Sequence, residues 1–267
     1  MCARYTLTAE EKELIKQGNY TIQGPYVADP NIAVTDIGYV VTTEEPSVVQ
    51  RMFWGIDKSF ASFNIRSEDV MQTPNFKKLL DAGNFCIILA DGFYESEELT
   101  REDKRPWRFV TERKVFAFLG LWTEVPSTVP GETQRRYAIF TCKANKTVGE
   151  IHPYDRMPVI LSKADEDFVL RRKPTVEQLL ALCVPYPDRL MNRYRVSKQV
   201  LPVSTKEKWN KSMELLNEVP DEPRTGNLFG EAMPPADVSK RIYKNTGRKK
   251  PKAGGPNNPP PDLFNSG

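Results

Sequence analysis

Apolar positions along this chain fall into short runs separated by turn-forming residues. Phe85-Cys86-Ile87-Ile88-Leu89-Ala90 is apolar throughout, as expected of a strand buried on both faces. Residues 115–122, 137–142 and 157–161 show the same enrichment in branched and aromatic side chains, and residues 31–41 read as one strand. Helical spacing is rarer. Residues 74–82 enter through Pro74 and stop at Gly83, and residues 174–182 form a second helical stretch. Thr8-Ala9-Glu10-Glu11 has the form of a capping box ahead of Leu14 and Ile15. Ser204-Thr205-Lys206-Glu207 opens another capped helix, running to about Asn217. Strands outnumber helices without regular alternation, and no internal repeat is present. The expected fold is α+β: a single, mainly antiparallel β domain with peripheral helices.

Composition sets the boundaries. The 267 residues suffice for one large domain with an appendage. The apolar runs lie within residues 1–220. Residues 221–267 are rich in Pro and Gly, carry few large apolar residues, and are expected to form a flexible tail without a core. The basic run Gly247-Arg248-Lys249-Lys250-Pro251-Lys252 reads either as a solvated stretch or as a tether to DNA phosphates. Asp262-Leu263-Phe264 is a candidate docking peptide for an unknown partner. A net charge of +3 does not by itself demand a nucleic-acid partner. No run of eighteen apolar residues occurs, so no membrane span is expected. Met1-Cys2-Ala3-Arg4-Tyr5 lacks an apolar signal region, and the expectation is a cytoplasmic monomer. The four cysteines Cys2, Cys86, Cys142 and Cys183 match neither a zinc spacing nor a disulfide scaffold. Free thiols are expected, with no metal and no cofactor, and Cys86, Cys142 and Cys183 read as buried core residues.

Cys2 changes the picture. Removal of Met1 exposes an α-amine beside a thiol. An α-amine titrates near ~8 against ~10.4 for lysine, so at neutral pH it is the preferred amine for attack on an aldehyde. The thiol can then close a five-membered thiazolidine, which no internal residue can do. The plain alternative is an inert residue at a frayed terminus. Proton transfer would need a carboxylate and an imidazole. His152 is the one histidine in the chain, and Glu95 follows a buried-looking segment where its pKa could rise. Asn64 and Arg66 share one side of an extended segment. Trp54, Phe93 and Tyr94 are aromatics available either to stack on bases or to fill the core.

Five blocks resemble the SRAP family of abasic-site processing proteins. Met1-Cys2-Ala3-Arg4-Tyr5 is similar to the family's start, and Phe63-Asn64-Ile65-Arg66-Ser67-Glu68 to its Asn-Ala-Arg-Ser-Glu segment. Ala90-Asp91-Gly92-Phe93-Tyr94-Glu95 is an unaltered family block, and Phe118-Leu119-Gly120-Leu121-Trp122 is close to another. Ile151-His152 followed by Asp155-Arg156-Met157-Pro158-Val159 resembles the last. The resemblance spans about residues 1–200 and implies barrel-like sheets and a covalent link between Cys2 and abasic sites in single-stranded DNA. It implies that Asn64 positions the terminus, that Glu95 moves protons, and that His152 assists at the opened sugar oxygen. By the same resemblance, Arg4, Arg66 and Arg156 hold phosphates, and Trp54 lies near the DNA. A lyase side reaction and self-removal of Met1 are further implications. Departures are Ala3 for Gly, Ile65 for Ala, Ser96 for a common Trp, and Pro153-Tyr154, which lengthens the spacing from His152 to Arg156. Two other classes stay open: a non-catalytic single-strand binding module with Cys2 incidental, and an N-terminal-nucleophile amidohydrolase using the Cys2 thiol.

Overall fold

The computed structural model describes residues 2–57, 62–100, 103–201 and 210–220. The chain divides into Met1–Ala236 and Asp237–Gly267, and the second unit lies outside the described residues, as does the whole of the expected tail.

The N-terminal strand β1 (Arg4–Leu7) is followed by helix α1 (Glu11–Gly18) and strands β2 (Thr21–Ile22), β3 (Asp29–Ala33), β4 (Ile37–Thr42), β5 (Val48–Trp54) and β6 (Asn64–Arg66). Helix α2 (Pro74–Asp81) leads into β7 (Phe85–Ala90), β8 (Gly92–Glu98), β9 (Lys104–Thr111), β10 (Phe116–Pro126) and β11 (Thr133–Lys143). Then come α3 (Lys146–Gly149), β12 (Arg156–Pro158), β13 (Ile160–Leu161), α4 (Lys163–Arg172), α5 (Val176–Ala181) and β14 (Met191–Arg195).

Strands β11, β10, β7, β4 and β5 pair in turn, and parallel pairing of β5 with β11 closes the ring into a barrel. A second sheet has the order β14-β9-β8-β1-β3. The two meet through aromatics. The Tyr5 ring lies edge-on to Phe118 at 5.7 Å, and Phe93 lies edge-on to Phe118 at 6.1 Å. Tyr5 and Tyr137 share a hydroxyl–hydroxyl hydrogen bond of 2.6 Å above Gly38, where a Cβ would collide with both oxygens. The α+β class, the barrel-like sheet and the peripheral helices expected from sequence are all present.

Several local expectations change. The stretch 31–41 is two strands, not one. Thr35, at φ 80°, turns the chain between β3 and β4, and the Asp36 carboxylate accepts from the Ala33 N–H at 3.0 Å. Helix α1 forms without the expected capping box: Glu10 is its N-cap and makes no side-chain cap bond. Thr8 is instead drawn to Asp91, donating its hydroxyl at 2.8 Å. The full capping box occurs at Thr175 and Gln178, at the start of α5. Of the expected helix over residues 204–217, residues 202–209 lie outside the described ones, and Met213–Leu216 form a 3-10 turn.

Asp91 fixes β1 against β8. Its carboxylate accepts from the Thr6 hydroxyl, the Thr8 N–H and hydroxyl, and the Ala9 N–H. It also pairs with Arg108 at 3.1 Å, with both side chains about nine-tenths buried. Gly92 gives the guanidinium room, since a Cβ there would stand 2.7 Å from Arg108 Nε. Removing one partner of such a pair leaves an uncompensated buried charge. Asp91→Ala is therefore expected to cost about 3–5 kcal/mol. Urea unfolding of the variant checks this, and a loss below ~1 kcal/mol would show the cluster to be dispensable.

Candidate functional site

Antiparallel pairing sets Tyr5 opposite Phe93 and Thr6 opposite Gly92. Continuing that register backward brings Ala3 opposite Glu95, so the start of the chain runs beside the carboxylate. Side chains alternate along β8, and the face that sends Phe93 into the core carries Glu95 two residues on. The third component comes from β6, which pairs in parallel with β11 and places Asn64 level with Ile139. The fourth follows α3, whose N-cap Asn145 accepts from the Val148 N–H at 2.9 Å. The His152 N–H then bonds the Val148 carbonyl at 2.8 Å, extending the turn past the helix.

These elements bring four of the expected residues together. Cys2 is 1% exposed, which rules out a frayed terminus. Its carbonyl accepts from Asn64 Nδ2 at 2.6 Å, and its thiol contacts the Arg4 carbonyl at 3.4 Å. Burial pushes the Cys2 thiol well above its usual range, and the nearby Glu95 charge adds to the effect. Glu95 Oε2 lies 3.3 Å from His152 Nδ1, a close contact that falls short of hydrogen-bond geometry. Burial raises the Glu95 carboxyl from 4.5 to about 7, against the lowering influence of the N-terminal positive charge. Burial lowers His152 to about 3, so the imidazole is neutral at physiological pH. Glu95 Oε1 and Asn64 Oδ1 are buried acceptors without a hydrogen-bond partner among the described residues. Two unsatisfied acceptors beside a buried thiol are costly unless a ligand uses them.

The raised carboxyl has a consequence for stability. A group whose pKa is higher folded than unfolded stabilises fully below the unfolded value and loses that contribution as pH rises through the folded value. Wild type should therefore lose ~3 kcal/mol from Glu95 between pH 4.5 and 8, at ~1.36 kcal/mol per pH unit. Glu95→Gln should not, so urea unfolding at pH 5 and pH 8 should show the variant gaining relative to wild type at the higher pH. An equal difference at both pH values would mean that the carboxyl titrates normally.

The expected DNA contacts divide. Arg4 is half-buried, donates to Asn31 Oδ1 at 3.3 Å, and is lowered by burial to about 10, so it keeps its charge beside Cys2. Arg66 is exposed, 4.0 Å from Asp69. Arg156 does not fit a phosphate-holding role in this arrangement. It is 8% exposed and committed to Glu68 and to the Thr141 carbonyl and hydroxyl at 2.7 and 2.9 Å. Trp54 and Phe93 are also corrected, because both are fully buried. Trp54 donates to the Phe63 carbonyl at 2.9 Å and stacks on Tyr137, while Phe93 stacks on Phe109 at 5.1 Å. Tyr94 is buried as well, with its hydroxyl on the Pro30 carbonyl. Cys86 and Cys142 are buried as expected. Cys183 is only half-buried, because it sits just past the end of α5. No His, Cys, Asp and Glu cluster suited to a metal occurs among the described residues. Among those residues, no helix is long and apolar enough to cross a membrane.

Two features were not singled out from sequence. Asp91 lies inside the segment 90–95, but its role as the anchor of β1 depends on Arg108, a partner seventeen residues away. Tyr154 is noticed in sequence only as part of a lengthened spacing.

The SRAP family model, SOS response associated peptidase, matches residues 1–203. Abasic site processing protein YoqW of Bacillus subtilis is 33% identical over 214 residues, covering 75% of this chain and 94% of the relative. YobE of the same organism is 31% identical over 214 residues, covering 75% and 96%. A crystal structure of a Bacteroides thetaiotaomicron protein superposes with a TM-score of 0.71 at 17% identity, covering 82% of this chain and all of that one, and so supports the fold. The five blocks, the barrel and these matches agree: the chain belongs to the SRAP family.

Proposed function

We propose that this protein acts on abasic sites in single-stranded DNA and links to them through Cys2. The observation that carries this reading is the buried cluster of Cys2, Asn64, Glu95 and His152, in a chain whose relatives are named abasic site processing proteins. With Met1 removed, the Cys2 amine lies beside a carboxyl that titrates near neutrality. Glu95 donates a proton to the ring oxygen of the closed sugar while the C1′ hydroxyl gives its proton to water, and the ring opens to the aldehyde. The amine adds to C1′, and loss of water leaves an imine. The thiol sulfur then bonds to C1′, its proton passes to nitrogen, and a thiazolidine results. A thiol held neutral by burial favours this order, because the amine is the better nucleophile until the imine forms. Neutral His152 accepts or donates a hydrogen bond at the opened sugar oxygen, and Asn64 holds the terminus through the Cys2 carbonyl. Arg4 and Arg66 supply positive charge for the flanking phosphates. Proton loss at C2′ of the imine with expulsion of the 3′-phosphate would cleave the strand, which makes lyase activity a side reaction. Self-removal of Met1 by the Cys2 thiol is a maturation step in this scheme.

The test is a denaturing gel of protein mixed with single-stranded DNA carrying one abasic site, without borohydride. A slow-migrating band supports the assignment. Equal affinity for intact and abasic strands, with no band, would favour the non-catalytic binding module.

A further inference from the structure

With Trp54, Phe93 and Tyr94 all buried, the aromatics expected to stack on DNA are unavailable. Among the described residues, Tyr154 is the sole aromatic among the exposed large hydrophobic side chains, at 43% exposure. It stands directly at the site: its ring meets the His152 ring edge-to-face, with centroids 5.4 Å apart and planes at 67°.

The backbone holds it there. His152, Pro153, Tyr154 and Asp155 form a turn closed by the Asp155 N–H on the His152 carbonyl at 3.2 Å. Proline at the second position of a turn fixes its own φ, and Tyr154 takes the third position, at the corner. Asp155 follows at φ 50°, and its carbonyl accepts from the Ala144 N–H at 3.0 Å, which ties the turn to the end of β11. Lys143, exposed, precedes that tie and pairs in register with Arg156, two residues after Tyr154. An exposed aromatic on a hydrogen-bonded turn thus stands against the imidazole of the site. An abasic site lacks its own base, so the nearest planar group for an aromatic beside the lesion sugar is the neighbouring nucleobase.

We propose that Tyr154 stacks on the nucleobase adjacent to the abasic sugar and so sets how the lesion is seated against His152. This rests on the proposed function, and it names the part of the substrate that the exposed ring reads. Stacking of this kind tolerates any base and strengthens with ring area, which predicts faster adduct formation beside a purine than beside a second baseless sugar.

The probe is a single strand carrying a tetrahydrofuran abasic analogue, which cannot form an imine, with 2-aminopurine on one side or the other. Wild type is expected to quench the fluorophore on one side. Tyr154→Ala should lose the quench and bind roughly 5- to 100-fold more weakly, while Tyr154→Phe keeps both. Circular dichroism of each variant separates lost stacking from lost folding. A quench unchanged in Tyr154→Ala, or absent in wild type bound to the strand, overturns the inference. Because the analogue cannot react, a preserved quench alongside failed crosslinking to a true abasic strand would count against Cys2 chemistry and leave the role of Tyr154 standing.

Discussion

Cys2→Ala and Cys2→Ser are both expected to form no adduct that survives denaturation, yet to retain an imine that borohydride can trap. Both substitutions remove the thiol and leave the amine, so borohydride separates the contribution of the amine from that of the thiol. Once an aminopeptidase has removed Met1, which a small residue at position 2 permits and which replaces self-processing in these variants, serine keeps the α-amine, so attack on C1′ proceeds and the imine forms. Its hydroxyl adds to the imine far less readily than a thiol, so the ring closes poorly and the link reverses in water. Alanine keeps the amine but offers nothing to close the ring. Both residues are smaller than or close in size to cysteine, and the Asn64 contact is to the Cys2 carbonyl, so the terminus should stay in place. Retention of a stable adduct by Cys2→Ala would move the linkage to another side chain.

Glu95→Gln is expected to slow adduct formation by about 10²–10⁴-fold, the usual contribution of a positioned acid or base. Affinity for the unreactive tetrahydrofuran strand should change little, because the amide matches the carboxyl in shape and Oε1 accepts no hydrogen bond among the described residues. The pH profile sharpens the test. In wild type the amine must be neutral, which raises the rate up to about pH 8. Glu95 must be protonated to donate, which lowers the rate above its value of about 7. The product of these demands is a bell near neutrality. In Glu95→Gln the alkaline limb should vanish and the acidic limb remain. A bell of unchanged shape would assign the acid to another group, and a matching loss of affinity and rate would mark Glu95 as a positioning residue.

Much of the fold is legible in the chain itself, for reasons that also explain the failures. The strand β7 is apolar at every position, and its observed bounds, Phe85–Ala90, coincide with that run. Helix α2 announces itself by Pro74 at its start and Gly83, at φ 71°, beyond its end. The turn at Thr35 is hidden because apolar residues on both sides keep the strand pattern, and only the local Asp36 and Ala33 bond breaks it. Strands β9 and β14 escape because Arg105, Arg108 and Arg195 look like surface residues in sequence yet are buried in the sheet. Thr8 looks like a helix cap until Asp91, 83 residues away in sequence, claims it.

The site divides in the same way. Cys2, Asn64, Glu95 and His152 are identified from sequence through the family resemblance, and the structure brings them to one place. The three misassigned contacts, Trp54, Phe93 and Arg156, have residue types common to DNA interfaces and protein interiors alike, and burial decides between the two. Tyr154 is inconspicuous in the sequence for the opposite reason: only its exposure, on a turn that contains Pro153, marks it out.

The most direct measurement is mass spectrometry of the adduct with single-stranded abasic DNA after proteolysis. The account predicts one modified peptide, beginning at Cys2 without Met1, carrying the DNA sugar with loss of one water and resistant to thiol alkylation. A modified lysine, or an N-terminal peptide that retains Met1 and a free thiol, would contradict it.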